Sequence, residues 1–331
     1  MMKLPHFLPV VGICLGLTAC GQSSGPSVST LPAADKSTPA AAPVPAQTRQ
    51  IGLVMKTLTN PFFIEMEKGA RRAEKELGLT LQVKTAAQET SIEQQIQLVE
   101  DLIMAKVDAI VIAPGDSQSL VPTLKKAADA GIKVVNIDNR LDTESMQKVG
   151  LGEVPFVGVD NDAGAYLAGK FLADKATAPM QAAILEGIRS ANNARQRMEG
   201  AKRALTENKQ IKLVASETAN WKIDEAYQVT KSIFTKHPEV KLLFAANDMM
   251  AMGAVKYLQE SGKATVQVVG YDALSEAIAE IKAGRLAATV DQQAAEQGYQ
   301  GVALALRLIK GEKVPPVTMI ETRLITAAGL K

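Results

Sequence analysis

Thiols are almost missing from this chain of 331 residues: its two cysteines, Cys14 and Cys20, both fall within the first twenty positions. From residue 21 onward disulfides and cysteine-rich metal sites are excluded. Histidine is as scarce, with His6 near the start and His237 in "TKHPEV". A lone histidine before a proline reads as a solvated helix end, and its isolation argues against Ser-His-Asp chemistry and against multi-histidine metal sites. Charge of one sign is not in excess, since the formal net charge is +2. With Lys, Arg, Asp and Glu interspersed and no basic stripe, nucleic acid is not an expected partner. Aromatic residues make up 4% of the chain and there is one Trp. The one long apolar run, "FLPVVGICLGL", is too short to span a bilayer comfortably.

That run sits behind Lys3 and ends in "LTAC", Leu17 to Cys20. This resembles a bacterial lipoprotein signal, 1–20, in which cleavage precedes the cysteine and Cys20 is lipidated. Membrane attachment would then come from the acyl chains, which anchor by burying CH₂ groups at about 0.8 kcal/mol each. Residues 21–50, "GQSSGPSVSTLPAADKSTPAAAPVPAQTRQ", are dominated by Pro, Ala, Ser and Thr. Such a segment cannot bury enough apolar surface to offset its chain entropy and reads as a disordered linker.

The body from Ile51 onward, about 280 residues, suffices for two domains. Short β-rich runs alternate with helical periodicity throughout. The runs are "IGLVM", "LTLQVKT", "AIVIAP", "KVVNID", "FVGVD", "AAILEG", "KLVASET", "KLLFAAND", "VQVVGYD" and "AATVDQ". Between them, Ile92, Ile96, Val99 and Ile103 recur at helical spacing. Several runs are apolar on consecutive residues, as strands covered on both faces must be. The pattern predicts an α/β fold of parallel-rich sheets flanked by helices, with two sheets of about five strands suiting the length better than one of ten.

Polar residues gather where strands end: Asn60, Asp138 and Asn139, Asn247 and Asp248, Asp272, and Gln292. Ligands of open α/β sheets bind outside the carboxyl ends of the strands. Asn and Asp are also preferred helix N-caps. Asp248 reads as a cap, and Asn60, before Pro61, stays open between cap and ligand contact. At Asp272 the nearby Ser275 is a rival cap that would leave the carboxylate free. Trp221 lies at a strand-to-helix junction on the same rim. Arg195 falls at the start of a helix, where the dipole disfavours cations, so a carboxylate or a ligand hydroxyl is expected to hold it. Phe62 and Phe63 adjoin in a chain poor in aromatics. Helical neighbours diverge by about 100°, so one ring is expected to face a ligand, Phe63, and the other to pack beneath. Amides, carboxylates, a guanidinium and aromatic rings, with no metal set and no cofactor, suit a neutral polyhydroxylated ligand.

In their order, "TNPFF", "APGDS", "VVNIDN", "ANNARQRMEG", "LFAANDMMAMGAVKYLQESGK", "VVGYDALSEAIAEIKAGRLAATVDQ" and "LIKGEKV" resemble periplasmic sugar-binding proteins of the ribose and galactose type. The resemblance runs from Ile51 to near the C-terminus. It implies two Rossmann-like lobes joined by a three-strand hinge, 51–159 with 293–321 and 160–292 with 322–331, closing on one monosaccharide or polyol. It also implies a monomer, outside the cytoplasm, serving the permease of an ABC importer, or else a sensor presenting its ligand to a chemoreceptor or kinase. The contacts it carries over are Asn60, Phe62, Phe63, Asp138, Arg195, Trp221, Asn247, Asp272 and Gln292, with Asn139 beside them. Ala113 and Asn139 depart from the ribose-type pattern, Trp221 is closer to the galactose type, and the galactose-type calcium loop has no counterpart. A glycosidase would need two of Asp138, Asp248 and Asp272 as paired carboxylates, and a repressor of the same fold would need a DNA-binding helix-turn-helix in front. The expectation is therefore a binding protein and not an enzyme.

Overall fold

The computed structural model describes residues 48–330. The expected signal, Cys20 and the linker up to residue 47 lie outside the described residues. Along the chain come β1 (Gln50–Met55), α1 (Pro61–Leu77), β2 (Thr80–Thr85), α2 (Ile92–Met104), β3 (Ala109–Ile112), α3 (Val121–Asp129), β4 (Lys133–Ile137), α4 (Thr143–Val149) and β5 (Phe156–Val159). Then follow α5 (Asn161–Ala173), β6 (Met180–Glu186), α6 (Asn192–Glu207), β7 (Ile211–Thr218), α7 (Ile223–Lys236), β8 (Val240–Ala245), α8 (Asp248–Glu260), β9 (Gln267–Val269), α9 (Ser275–Lys282) and β10 (Ala288–Asp291). The chain closes with α10 (Ala294–Ile309), β11 (Val317–Ile320) and β12 (Arg323–Thr326). Gln50, placed with the linker on composition, already pairs with Thr80 in β1.

Among the described residues these strands form two six-stranded sheets, ordered β11-β5-β4-β3-β1-β2 and β12-β10-β9-β8-β6-β7. All pairings are parallel except that of β12 with β10. The consecutive apolar runs become strands covered on both faces: Ala109 to Ile112 in β3 and Phe156 to Val159 in β5 are buried throughout. Each fully buried Leu, Ile or Val contributes roughly 1.5–3 kcal/mol, so these central strands carry much of the stability. β11 and β12 escape the sequence reading, which counted about five strands per sheet. Each has four residues, lies on a sheet edge and shows no clean apolar run.

The chain passes between the sheets three times: from β5 into α5, from β10 into α10, and from β11 to β12. Helix α10 returns to the first sheet, packing on β3, β4 and α1. Gly69 and Gly298 let α1 and α10 approach backbone to backbone, since a Cβ at Gly69 would overlap Ala295 and one at Gly298 would overlap Met66. The first sheet with its helices is called the first lobe below, the other the second lobe.

Candidate functional site

At the carboxyl ends of the strands the two lobes face one another across a narrow cavity. The first lobe contributes Lys56, Asn60, Phe62, Phe63, Glu89 and Asp138 to its wall. Asn193, Arg197, Trp221, Asn247, Asp272 and Gln292 complete it. A wider depression of about 860 Å³ beside Arg140 and Phe156 lies on the first lobe alone.

Strand ends and helix starts fix these side chains. Asn60 caps α1, its Oδ1 accepting from the Phe62 amide at 3.1 Å, with Pro61 at the first helical position. Its Nδ2 remains free to donate to Glu89 Oε1 at 2.9 Å. Asn247 likewise caps α8, accepting from the Met250 amide at 2.9 Å. Cap and cavity wall are thus one residue in both cases. Asp138, Trp221 and Asp272 occupy positive φ, at 64°, 66° and 125°. Left-handed backbone at non-glycine residues costs about 1–3 kcal/mol, and here it coincides with the cavity wall.

In the first lobe, the buried Lys56 ammonium lies 2.8 Å from Asp138 Oδ2 and 4.0 Å from Glu89 Oε2. Burial raises the Glu89 carboxyl above its usual range, against the pull of Lys56 and the Asn60 hydrogen bond. Lys56 Nζ also stands 5.5 Å from the Phe63 ring centroid. Phe62 and Phe63 meet edge to face, with centroids 5.1 Å apart and planes at 83°.

In the second lobe, Arg197 is held on three sides. Its Nε donates to Asn161 Oδ1 at 2.7 Å, Nη1 to the Ala246 carbonyl at 2.9 Å and Nη2 to Gln292 Oε1 at 3.2 Å. The guanidinium stacks 3.8 Å from the Tyr271 ring centroid and faces Asp272 Oδ1 at 3.5 Å. Gln292 Nε2 donates to the same Asp272 oxygen at 2.7 Å. Burial nevertheless holds the Asp272 carboxyl well above the carboxylate range, outweighing Arg197, and nearby Asp248 adds to the rise.

Asp248 is fully buried and outside the cavity wall. It accepts from Thr289 Oγ1 at 2.7 Å and from the Leu274 amide at 2.9 Å, fixing the turn that presents Asp272. Burial pushes its carboxyl up to about 6.

The expected residues Asn60, Phe62, Phe63, Asp138, Trp221, Asn247, Asp272 and Gln292 are brought together around the cavity. Arg195 requires correction: it does not line the cavity, and its Nη1 donates to the Arg189 carbonyl at 2.9 Å. Residues two positions apart on a helix diverge by about 200°. The buried face of α6 is set by Asn193, Ala194, Arg197, Gly200, Ala201 and Ala204, so Arg197 takes the inward place. Asn139 is also corrected: it is buried but off the cavity wall, donating from Nδ2 to the Pro114 carbonyl at 3.0 Å. Lys56, Glu89, Asn193 and Arg197 were missed. Lys56 and Glu89 follow strands, as the other rim residues do. The apolar stripe of α6 was the available signal for Arg197.

Two cations, Lys56 and Arg197, stand against three acidic groups, Glu89, Asp138 and Asp272. Burial favours the neutral form of two of these acids. The site is therefore close to electroneutral and rich in donors and acceptors. Among the described residues, Asn193 Oδ1 and Trp221 Nε1 are buried without a hydrogen-bond partner. Such groups cost about 1–3 kcal/mol when unpaired, and a hydroxylated ligand can satisfy them. Among the described residues, no group of three His, Cys, Asp or Glu is placed to hold a metal.

A family model described as "Periplasmic binding protein domain" matches residues 51–313. A D-ribose/D-allose-binding protein of Pseudomonas aeruginosa is 43% identical over 266 residues, covering 80% of this chain and 83% of that protein. The D-allose-binding periplasmic protein of Escherichia coli is 34% identical over 285 residues, covering 84% of this chain and 92% of that protein. Among solved structures, an ABC transporter periplasmic solute-binding protein of Actinobacillus succinogenes with bound D-allose superposes with a TM-score of 0.81. It is 40% identical and the match covers 85% of this chain and 99% of that one. A Caulobacter myo-inositol-binding protein with bound myo-inositol gives a TM-score of 0.79 at 27% identity, covering 87% and 97% of the two chains.

Proposed function

This chain belongs to the periplasmic binding protein family, and from that premise we propose that it captures a neutral monosaccharide of the ribose or allose type and delivers it to an ABC importer. The observation that carries the reading is the convergence of Arg197 and Asp272 from one lobe and Lys56 and Asp138 from the other on a single near-neutral cavity. Carboxylate, amide and guanidinium groups each engage pairs of neighbouring hydroxyls. Phe63 and Trp221 supply aromatic faces for the C–H sides of a sugar ring. The family consists of binding proteins, and the relatives carry the names of binding proteins, not of enzymes.

The lobes divide as 51–159 with 293–321 and 160–292 with 322–331. A ligand touching both lobes favours the closed form, because an open cleft offers half the contacts. A shift from 1:99 to 99:1 needs about 10⁴-fold tighter binding to that form, and the permease reads the closed shape. Among the described residues no helix is long and apolar enough to cross a membrane; lipid on Cys20 tethers the protein, as a monomer, outside the cytoplasm.

The chain's one Trp, Trp221, lines the cavity, so its fluorescence reports occupancy directly. Titration with D-ribose and D-allose is expected to change that emission in a saturable way; an unchanged emission with both sugars and with myo-inositol counts against the proposal. The anchor is tested by labelling cells with a radioactive fatty acid, with label expected on the wild type and absent from Cys20→Ala.

A further inference from the structure

Helix α6 brings Asn193 and Arg197 to the cavity, yet it opens without a cap of its own. Its N-cap position is Ala191, which has no side chain able to accept a hydrogen bond. The first amides of a helix have no intrahelical partner, and here they are met from the other lobe. The Asn192 amide donates to Ser117 Oγ at 2.9 Å and the Asn193 amide to Asn139 Oδ1 at 3.2 Å. The Ser117 amide in turn donates to the Ser190 carbonyl at 3.4 Å. Ser117 follows β3 and Asn139 follows β4, both in the first sheet, whereas α6 follows β6 of the second.

These acceptors are rigidly mounted. Ser117 Oγ donates to Asn139 Oδ1 at 3.4 Å, Asn139 Nδ2 is tied to the Pro114 carbonyl at 3.0 Å, and the Asp142 amide donates to the Ser117 carbonyl at 2.8 Å. Ser117 and Asn139 are buried, and neither lines the cavity.

We infer that Ser117 and Asn139 are positioning residues for ligand capture: they cap α6 across the cleft only when the lobes are together, and so set affinity without touching the ligand. Moving the lobes apart returns both amides to water, so the pair of hydrogen bonds belongs to the closed form alone. The same contact fixes the helix start that carries Asn193 and Arg197, so closure and site assembly are one event. The affinity side of this inference rests on the proposed sugar site; the contact between lobes does not.

The test combines Ser117→Ala, which removes the acceptor, with Asn192→Pro, which removes the donor. Proline is favoured at the first helical position. Ala191 already has φ −85° and ψ 133°, the extended region a residue before proline adopts. With D-allose and D-ribose as probes, Ser117→Ala is expected to raise the dissociation rate and Kd about two- to tenfold, the range of one hydrogen bond. The association rate and the ligand-free melting temperature should not move. Asn192→Pro should weaken binding alone and add nothing further in the Ser117→Ala background. Unchanged dissociation in Ser117→Ala, or additive effects of the two substitutions, overturns the inference. Independently of any sugar, a Ser117→Cys/Asn192→Cys protein oxidised with copper phenanthroline should link the lobes, seen as altered mobility on a non-reducing gel and absent from either single variant. Absence of that link in the double variant, both in the ligand-free protein and with D-allose or D-ribose present, also overturns it.

Discussion

Arg197 Nη1 and Asp272 Oδ1 lie 3.5 Å apart in the second lobe, both side chains 3% exposed, with Gln292 bonded to each of them. The guanidinium is fixed by Asn161 and the Ala246 carbonyl. This pre-set pair presents its remaining lone pairs and N–H groups to the cavity without reorganising. Truncating one partner of such a buried pair costs about 2–5 kcal/mol. Arg197→Met is therefore expected to weaken sugar binding about a hundredfold or more and to lower the melting temperature. Arg195→Ala should change Kd by less than about threefold, as for a surface side chain. Calorimetry on both variants separates them, and equal losses would contradict the placement.

Phe63 is 1% exposed and belongs to the first lobe's core as well as to the cavity wall. Phe63→Ala is expected to cost about 3–5 kcal/mol of stability, which would blur any binding result. Phe63→Leu keeps much of the volume and removes the ring face. Affinity should fall about two- to tenfold, from the aromatic contribution of about 0.5–1.5 kcal/mol, with little change in denaturant midpoint. An unaltered Kd for Phe63→Leu would assign the sugar face to Phe62.

Gly187 allows the Trp221 ring its place, since a Cβ there would overlap the indole. Gly187→Ala is expected to displace the ring, shift its fluorescence maximum and abolish measurable binding, while the far-ultraviolet circular dichroism stays that of the wild type. Wild-type affinity in this variant would remove Trp221 from the account.

The carboxyl of Asp248, raised by burial to about 6, predicts a pH dependence. An unfolded aspartate titrates near 4. Between about 4 and 6 the folded chain holds the proton more tightly. The contribution of this group to stability is thus fully present below about pH 4 and is lost as pH rises through about 6. Asp272 and Glu89, also raised by burial, act in the same direction. Carbon-detected NMR of the Asp248 carboxyl should give a midpoint near 6, and Asp248→Asn should flatten the stability profile between pH 4 and 7. A midpoint near 4 would contradict this.

The alternation of β-runs and helical periods made the ten principal strands legible, because strands covered on both faces must be apolar at consecutive positions. β11 and β12 were not, since partly exposed edge strands of four residues leave no such pattern. The rim was legible for a related reason: a polar residue closing an apolar strand stands out at Asp138, Asn247 and Asp272. Arg195 and Arg197 follow the same strand-to-helix junction, which does not by itself tell them apart. Only the small-residue stripe of α6, Ala194, Gly200, Ala201 and Ala204, tells which face is inward. Lys56 and Glu89 carry their meaning in three dimensions, through Asp138 and Asn60, to which no local sequence pattern connects them.

Titration calorimetry of the protein with D-ribose and D-allose tests the central claim most directly. One saturable site for at least one of the two sugars, lost in Arg197→Met and retained in Arg195→Ala, is the predicted result. Absence of heat with both sugars, or binding that survives Arg197→Met undiminished, would contradict it.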